Sequence, residues 1–533
     1  MRIRFAVALL FLSAGPPVRL SAQQSTVDIL SYHFRIDLPD TGSAIRGFAS
    51  VFFQPRRGYD DTLRLDLVGM TVRRVVSMRT LESVPYRYDG QVLRVATRGV
   101  TGDPRGVMVE YRGVPRDGLI YSARNARGRR AFFGDNWPNR ARFWLPTVDH
   151  PSDKARVLWS VRAPRGWRVV TNAPQCQPRQ VTRRCLESAP IPTYTMVLGA
   201  TRFAVSTHRP AVTGRDTTPI EVWAFPEDSA WADSVPFARA TEIVETMTRL
   251  IGPFPYARLA HVQSATRYGG MENSSEIFYP ERAYVGHTLH ESTVRHETAH
   301  QWFGDAVTEA DWHHVWLSEG FATYFDLVIG AALSGDSVMR EGLKANSESY
   351  RASRVVDRPI IDSTIADPND ELSANSYQKG GWVLHMLRGE VGDSAFFRGL
   401  REYYRRYRDQ SVLTGELQTE IERAAGRRLG WFFDQWLRQP GYPQLEVSWR
   451  ADSTTRAVSL DVAQMQPATW GTFALPKLDV EFRYAGQVIT RRTIDLLKEP
   501  RQQTFEFTLD QLPDEIAVDP DAALLITSTV RGP

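Results

Sequence analysis

Apolar and polar side chains alternate along most of the first two hundred residues. Tyr32, Phe34, Ile36 and Leu38 are separated by polar residues, and residues 63–67 repeat the pattern. A period of two places apolar side chains on one face of a strand. Glycine, proline and aspartate interrupt these runs at intervals typical of turns. We therefore predict a largely antiparallel β domain over residues 23–225.

From about residue 229 the apolar spacing lengthens to three and four residues, which is typical of helices. The predicted helices are SAWADSVPFARATEIVETMTRLIG, TLHESTVRHETAHQWFG, SEGFATYFDLVIGAAL, SYQKGGWVLHMLRGEVG, SAFFRGLREYYRRYRD and TGELQTEIERAAG. The sequence QPGYP, residues 439–443, ends this block because proline and glycine break helices. A mainly helical domain is therefore expected over residues 226–440.

Alternation returns after this break. Leu445, Val447 and Trp449 are spaced by polar residues, and residues 478–484 behave in the same way. These runs predict a small β-sandwich over residues 441–533. A chain of 533 residues is too long for one ordinary domain. The expected fold class is therefore multidomain α+β, with β-structure at both ends and helices between.

The chain begins with the parts of a secretory signal peptide. Arg2 and Arg4 precede an apolar stretch over residues 5–12, and Ser21-Ala22 offers a small-residue cleavage site. The alternative is an uncleaved anchor, but this stretch is too short to span a bilayer comfortably. Residues 1–22 are therefore predicted to be a signal peptide, and the mature protein to be secreted or periplasmic.

The two cysteines agree with export. Cys176 and Cys185 lie nine positions apart in a polar segment between two apolar runs. In an oxidising compartment, cysteines placed in this way favour a disulfide that closes the loop. The alternative is two free thiols. We predict the disulfide, with a structural role.

Charge and hydropathy exclude two classes of partner. The net charge is +4, but the positive residues are spread along the chain and lysine occurs at only five positions. No basic cluster indicates a nucleic-acid-binding face, so no nucleic acid is expected as a partner. No segment after the leader supplies about 18 consecutive apolar residues, so stable membrane insertion is not expected either.

The segment HETAH carries the first chemical signal. His296 and His300 are four residues apart, so on a helix both imidazoles project from one face and can reach one ion. Glu319 follows after eighteen intervening residues, enough to finish one helix and return on a second. Zinc suits two imidazoles and a carboxylate, with a fourth position open for water. These three residues are the predicted ligands of one zinc ion per chain.

Two acidic residues near these ligands have predicted roles. Glu297 follows the first ligand on the same helix, where it can accept a proton from the attacking water and pass it to the leaving amine. Asp326 lies two turns after Glu319 on the same face, and we predict that it orients a ligand histidine. The alternative for Asp326 is a solvated charge on a helix surface.

Further motifs accompany this segment: WLSEGFA around Glu319, GGMENSS at residues 269–275, and SYQKGGWVLHML from Ser376. Together with HETAH, they resemble the aminopeptidase-N-like M1 family of gluzincin zinc metallopeptidases, which includes leukotriene A4 hydrolase. The likeness covers nearly the whole mature chain. It implies a thermolysin-like helical domain, a zinc cofactor and peptide substrates with a free amino terminus; we expect a monomer.

The resemblance assigns roles to five more residues. Gly269, Gly270 and Met271 would leave an extended backbone open for a substrate strand, and Glu272 would bind the substrate ammonium. Tyr377 would stabilise the tetrahedral oxyanion. The alternatives are a glycine-rich turn with a surface glutamate and a tyrosine that packs at the start of a helix.

Two departures from the family pattern matter. Most members carry a second amine-binding acid in the β domain, but the count from Pro146 places Trp137 there, with Asp135 nearby as the candidate replacement. The sequence also contains no match to the large C-terminal helical domain of most members. We therefore expect a short form with a more open cleft.

The sequence thus predicts a secreted zinc aminopeptidase in which Glu297 is the general base. Three alternatives stay open: an endopeptidase, a zinc hydrolase of a non-peptide substrate such as an epoxide, and a scaffold protein without activity. The scaffold alternative is weakened because His296, His300, Glu319 and Glu297 are all present.

Overall fold

The computed structural model of the chain describes residues 26–172 and 188–533. The predicted leader, residues 1–22, lies outside the described residues, and so do Cys176 and Cys185. The signal peptide and the disulfide therefore stay predictions. Over the described ranges the chain is an α+β protein, with strands in its first part, helices and strands in its middle, and strands at its end.

The first part of the chain consists of strands that follow the period-two pattern. They are β1 Val27–Asp37, β2 Ile45–Pro55, β3 Thr62–Asp66, β4 Thr71–Ser77, β5 Tyr86–Tyr88, β6 Val92–Ala96, β7 Arg105–Gly113, β8 Leu119–Ser122, β9 Ala131–Gly134, β10 Lys154–Arg162, β11 Arg168–Thr171, β12 Ile191–Pro192 and β13 Leu198–Thr201. Three sheets result, in the orders β12-β10-β1-β2-β7-β4, β11-β13-β9-β8 and β3-β6-β5.

In strand β1 the alternation predicts which side chains are buried but not the direction of both neighbouring strands. Its apolar side chains Tyr32, Phe34 and Ile36 are buried, as the pattern predicts. β1 pairs antiparallel with β2 but parallel with β10, so the largest sheet is mixed and the prediction of antiparallel structure holds for most pairs but not for this one. Parallel neighbours need a long connection, and here it contains the other strands from β2 to β9.

The middle part of the chain contains a second group of strands. They are β14 Ala204–Thr207, β15 Ala211–Thr213, β16 Asp216–Thr218, β17 Ile220–Ala224, β18 Leu259–Ser264, β19 Glu276–Pro280, β20 Val307–Glu309 and β21 Gln410–Val412. Four of them form the sheet β14-β17-β18-β19, in which β17, β18 and β19 run parallel. This sheet joins residues on both sides of the boundary predicted at residue 225.

Alternation does not reveal β18 and β19 because every residue in them is buried. A strand that is covered on both faces has no polar face to show a period of two.

The middle part of the chain also contains helices. They are α1 Ser229–Ser234, α2 Ala240–Leu250, α3 Glu281–Val285, α4 Glu291–His300, α5 Trp316–Ser334, α6 Ser337–Arg351, α7 Gly380–Val391, α8 Asp393–Tyr407, α9 Thr414–Ala425 and α10 Gly430–Arg438. The segment predicted as one helix over residues 229–252 divides into α1 and α2. Pro236 lies at the break, where it supplies no N–H donor and disfavours a helical Val235. Helices α3, α6 and α10 add to those predicted.

The end of the chain forms two further sheets. Their strands are β22 Gln444–Asp452, β23 Ala457–Gln464, β24 Leu475–Tyr484, β25 Gln487–Leu496, β26 Gln502–Thr508, β27 Glu515–Val518 and β28 Thr527–Arg531. The orders are β26-β23-β22-β28 and β25-β24-β27. Phe482 and Phe507 join the two sheets, with ring centroids 5.2 Å apart.

One buried cluster joins the first part of the chain to the middle part. Phe133 of β9 packs edge-on against Phe278 of β19, with ring centroids 5.9 Å apart. Trp137 and Met271 belong to the same cluster. The β14-β17-β18-β19 sheet therefore has a rigid neighbour on the side where the glycine-rich motif lies.

None of the helices in the two described ranges has the length and the apolar character that a bilayer span requires.

Candidate metal and active site

Two helices bring the predicted metal ligands together. His296 and His300 lie one turn apart on α4, and Glu319 lies in the first turn of α5. The Nε2 atoms of the two histidines are 3.2 Å apart. Oε2 of Glu319 is 3.4 Å from Nε2 of His296 and 3.3 Å from Nε2 of His300. The three donor atoms therefore converge on one point.

This spacing suits a metal ion. Donors held tetrahedrally at about 2.1 Å from zinc lie about 3.4 Å from one another. Oε2 of Glu319 is buried and has no hydrogen-bond partner within the described part of the chain. A buried carboxylate oxygen normally needs a partner, and a cation at the common point would provide it. His296, His300 and Glu319 could therefore hold a metal ion.

Ser318 supports the metal-binding geometry, a role that the sequence analysis misses. Its Oγ shares a hydrogen bond of 2.9 Å with Nδ1 of His300, which leaves Nε2 free to face the ion. Gly304 makes room for this contact, since a Cβ there would lie 2.3 Å from Oγ of Ser318 and its φ is +120°. In the sequence, the signal for this role is the position of Ser318 directly before the ligand Glu319.

The charges around the ligands favour a cation. Burial opposes the protonation of His300, but the carboxylates of Glu319 and Glu272 raise its pKa to about 10. Burial raises the pKa of Glu272 to about 7, and it raises the pKa of Glu297 well above its ordinary value. Buried carboxylates that crowd one imidazole form a site in which positive charge is stabilised.

A cavity of about 340 Å³ opens over this cluster. Its walls contain the three potential ligands and most of the other predicted site residues. The lining residues are Trp137, Tyr268, Gly269, Gly270, Met271, Glu272, Ser292, Thr293, His296, Glu297, His300, Glu319, Asp326, Leu372 and Tyr377. The structure therefore collects residues from four separate motifs around one space.

The glycine-rich motif lies at the edge of the β14-β17-β18-β19 sheet. Met271 exchanges two backbone hydrogen bonds of 2.8 Å with Phe278 of β19. The backbone of Gly270 lies against Glu297, the candidate general base. A Cβ at residue 270 would lie only 2.1 Å from Oε1 of Glu297. Gly269 is exposed and has open space around it. The motif thus brings backbone close to Glu297 at a point that admits no side chain.

Tyr377 reaches the cluster from a turn of π-helix over Asn375–Lys379. Its hydroxyl donates to Oε1 of Glu319 at 2.8 Å, and its ring stacks beside that of His296 at 6.0 Å. Such π-helical turns occur frequently at functional sites. The hydroxyl therefore lies at the potential metal site, as the resemblance implies, and its action on substrate stays a prediction.

Asp326 lines the cavity, but its carboxylate is engaged with an arginine. Oδ1 accepts from Nε of Arg295 at 2.8 Å. His300 already has Ser318 as its partner, so the described contacts of Asp326 point to an ion pair between α4 and α5. The predicted orientation of a ligand histidine by Asp326 stays a prediction.

Trp137 and Asp135 are the two candidates for the second amine-binding position, and only Trp137 lines the cavity. Trp137 is in the cavity wall, and its ring packs edge-on against Tyr268 at 6.0 Å. Asp135 is fully buried behind that wall, where it faces Arg140 at 3.1 Å and Arg267 at 3.5 Å. Two arginines already neutralise Asp135, so the geometry favours Trp137 as the residue nearer a substrate.

Comparison with known proteins agrees with this geometry. Residues 238–436 match the model of the peptidase family M1 domain, a range that contains all three potential ligands, Glu297, Glu272 and Tyr377. Over this range the chain is similar to peptidase family M1. The matched M1 domain also includes the β18 and β19 strands that position the glycine-rich motif.

Individual relatives point in the same direction. The chain is 27% identical to tricorn protease-interacting factor F2 of Thermoplasma acidophilum over 72% of its own length and 50% of that protein. It is 25% identical to aminopeptidase N of Streptomyces lividans, over 84% and 54% respectively. It is 28% identical to human glutamyl aminopeptidase, over 61% and 36%. The chain therefore spans about half the length of the curated relatives it matches, or less.

The close approach of Gly270 to Glu297 is testable by adding one methyl group. In Gly270→Ala the methyl must displace the Glu297 carboxylate, and a displacement of about 1 Å should lower peptidase kcat/KM by roughly 10- to 100-fold. Metal content should not change, since no ligand is touched. Steady-state kinetics and metal analysis of the purified variant test this expectation.

Gly389→Ala is the matched control, because a Cβ at that helical position meets nothing within 4 Å. Its activity should equal that of the unmutated protein. Equal activity in Gly270→Ala would contradict the proposed contact with Glu297.

Proposed function

We propose that this protein is a zinc-dependent aminopeptidase that removes single residues from the amino terminus of peptides. The observation that carries the proposal is one cavity in which Glu297 and Glu272 face the cluster of His296, His300 and Glu319. An M1 domain and relatives named as aminopeptidases support it. Zinc held by this cluster would supply Lewis-acid chemistry, which polarises the scissile carbonyl and activates a water molecule.

Glu297 is the proposed general base. Its burial raises its pKa well above the ordinary value, which favours a carboxylate that takes and returns a proton readily. The carboxylate would accept a proton from the attacking water and then donate it to the nitrogen of the leaving amine. The C–N bond breaks in this second step, and the base is regenerated.

Glu272 would determine where the peptide is cut. Its carboxylate is buried in the cavity wall beside the potential metal ligands, and no described side chain donates a hydrogen bond to it. A substrate ammonium can therefore pair with it by a charge-assisted hydrogen bond. A carboxylate oxygen of Glu272 lies within 4.8 Å of a ring nitrogen of His300. An ammonium bound by Glu272 would therefore place the first peptide bond of the substrate near the metal cluster, and cleavage would release single residues.

Tyr377 is the proposed oxyanion donor. Its hydroxyl donates to Glu319 at 2.8 Å beside the cluster, so it needs only a small rotation to reach a substrate oxygen bound at the same place. The negative charge on that oxygen develops in the transition state, where a preorganised donor has its greatest effect.

Several finer assignments belong to the same proposal. We infer export, with residues 1–22 as a cleaved leader and a Cys176–Cys185 disulfide, from the charged and apolar parts of the leader. We also propose one zinc per chain, a thermolysin-like catalytic domain over residues 226–440 and a C-terminal β-sandwich over residues 441–533. The monomeric state is part of this proposal.

Zinc dependence is tested by changing one ligand and the base separately. Purified protein should contain about one zinc per chain, and His300→Ala should lose most of it, because two donors hold an open zinc site poorly. Glu297→Gln should keep its zinc and lose turnover by several orders of magnitude. Elemental analysis and kinetics measure both effects. Stoichiometric zinc in His300→Ala would refute the ligand assignment.

The amino-terminal specificity is tested with pairs of free and N-acetylated peptides. Acetylation removes the substrate charge and leaves the buried Glu272 unpaired. The expected cost is about 2–4 kcal/mol, or roughly 30- to 1,000-fold in kcat/KM. Glu272→Ala should erase most of this ratio and keep its zinc. Equal cleavage of both peptides would indicate an endopeptidase, and cleavage of neither by zinc-loaded protein would favour a non-peptide hydrolase or a scaffold.

The role of Tyr377 is tested by removing its hydroxyl. Tyr377→Phe should lower kcat with little change in KM, because the hydroxyl acts on charge that appears only in the transition state. A loss of about 10²- to 10³-fold is expected for one oxyanion donor. Steady-state kinetics separate the two parameters, and an unchanged kcat would assign Tyr377 a packing role alone.

A further inference from the structure

Gln301 connects the helix that carries the metal ligands to the glycine-rich motif. It follows His300 directly, and its side chain is fully buried. Nε2 donates to the backbone oxygen of Glu272 at 2.9 Å, and Oε1 accepts from the backbone nitrogen of Ser275 at 2.8 Å. One amide therefore binds the backbone on both sides of the Asn273-Ser274 turn.

The amide itself is held in one orientation. Nε2 of Gln301 also donates to Oδ2 of Asp305 at 2.8 Å, so both of its N–H groups are engaged. The backbone nitrogen of Asp305 bonds to the carbonyl of His300 at 3.0 Å, which fixes Asp305 to the end of α4. Because donor and acceptor atoms of the amide have different partners, a flipped amide would lose all three bonds.

The turn that Gln301 binds has an unfavourable backbone conformation. Ser275 has a φ of +67°, in the left-handed region that residues other than glycine rarely adopt. The backbone N–H of Ser275 donates to Oε1 of Gln301, and its hydroxyl donates to the carbonyl of Asn172 at 2.9 Å. Strained residues persist where their surroundings hold them, and they cluster at functional sites.

We propose that Gln301 is a positioning residue that sets the place of the Glu272 carboxylate relative to the metal cluster. This inference rests on the proposed aminopeptidase function, in which Glu272 receives the substrate ammonium. Met271, the residue before Glu272, is held to β19 by its bonds to Phe278, so the backbone on that side has a separate anchor. Gln301 anchors the other side to α4. Asn172 also binds this turn, through the carbonyl of Ser274 and the hydroxyl of Ser275. Gln301 is the contact that ties the turn to the helix carrying the metal ligands, so the spacing between the ammonium site and the metal cluster depends on its amide.

The turn that carries Glu272 has little free space in which to move. Gly270 lies two residues before Glu272, and the space above Glu297 admits no Cβ there. A shift of the turn by about 1 Å would misplace the ammonium while it leaves His296, His300 and Glu319 in place. Loss of Gln301 should therefore act on the recognition of the amino terminus more than on the metal.

The experiment measures kcat/KM for L-leucyl and L-alanyl fluorogenic amides and for their N-acetylated copies. In the unmutated protein the free-amine substrates should be preferred. In Gln301→Met, which keeps the length of the side chain and removes its hydrogen bonds, this preference should fall by about 10-fold or more. Only the rate for free-amine substrates should fall, and zinc content should stay at that of the unmutated protein.

Gln435→Met is the matched control. Gln435 is also a buried glutamine whose amide bonds a backbone pair, the nitrogen of Ala474 at 2.8 Å and its oxygen at 3.1 Å, but it lies outside the cavity. Its substitution should lower the thermal unfolding midpoint and leave the free-amine preference unchanged. Gln301→Asn, which keeps the amide but shortens its reach by one methylene, should show an intermediate preference, and it replaces Gln301→Met if that variant does not fold.

Three results would overturn the inference. The first is an unchanged preference in both Gln301 variants. The second is an equal loss for free and acetylated substrates, which would indicate a general structural role. The third is loss of zinc comparable to that of His300→Ala, which would assign Gln301 to the metal site. If the unmutated protein itself shows no preference, the proposed aminopeptidase function fails first, and the two failures are therefore distinguishable.

Discussion

Buried negative charge is the constraint on which this site depends. Glu272, Glu297 and Glu319 are each at most 6% exposed, and they face the same cavity. Removing carboxylates from water costs several kcal/mol each unless a cation or donors compensate. The described cavity wall contains no lysine or arginine, so His296 and His300 are the basic residues that face these carboxylates. A dication at their common point would resolve this imbalance, and the raised pKa of His300 reflects the same field.

Close contacts between backbone and side chain turn this charge cluster into a shaped site. Gly270 lets the edge of a sheet approach Glu297, and Gly304 lets Ser318 approach His300. Each contact joins residues of different elements of the fold. A pair of helices alone therefore does not form the cavity. Its walls also need the sheet edge, the turn held by Gln301 and the π-helical turn with Tyr377, each placed correctly relative to α4.

The N-terminal strands also support the site. The N-terminal strands meet the middle part at a buried cluster that includes Phe133, Trp137 and Met271, so one wall of the cavity is built by residues from both. Lys154 of β10 extends this connection, since its Nζ donates to the backbone oxygens of Asp305 and Ala306 just after α4. The N-terminal part is therefore a structural component of the site.

The sequence by itself determined the candidate metal ligands and the type of most elements. The spacing of His296, His300 and Glu319 is local to two helices, and helical and strand periods are set by which face is buried, so both can be read from the chain. Tertiary structure alone decided the mixed sheet, the fully buried strands β18 and β19, the partner of His300 and the engagement of Asp135 and Asp326 by arginines. These features arise from contacts between separate elements of the fold. A hydrophobic period shows which face of an element is buried, but it does not show which other element packs against that face.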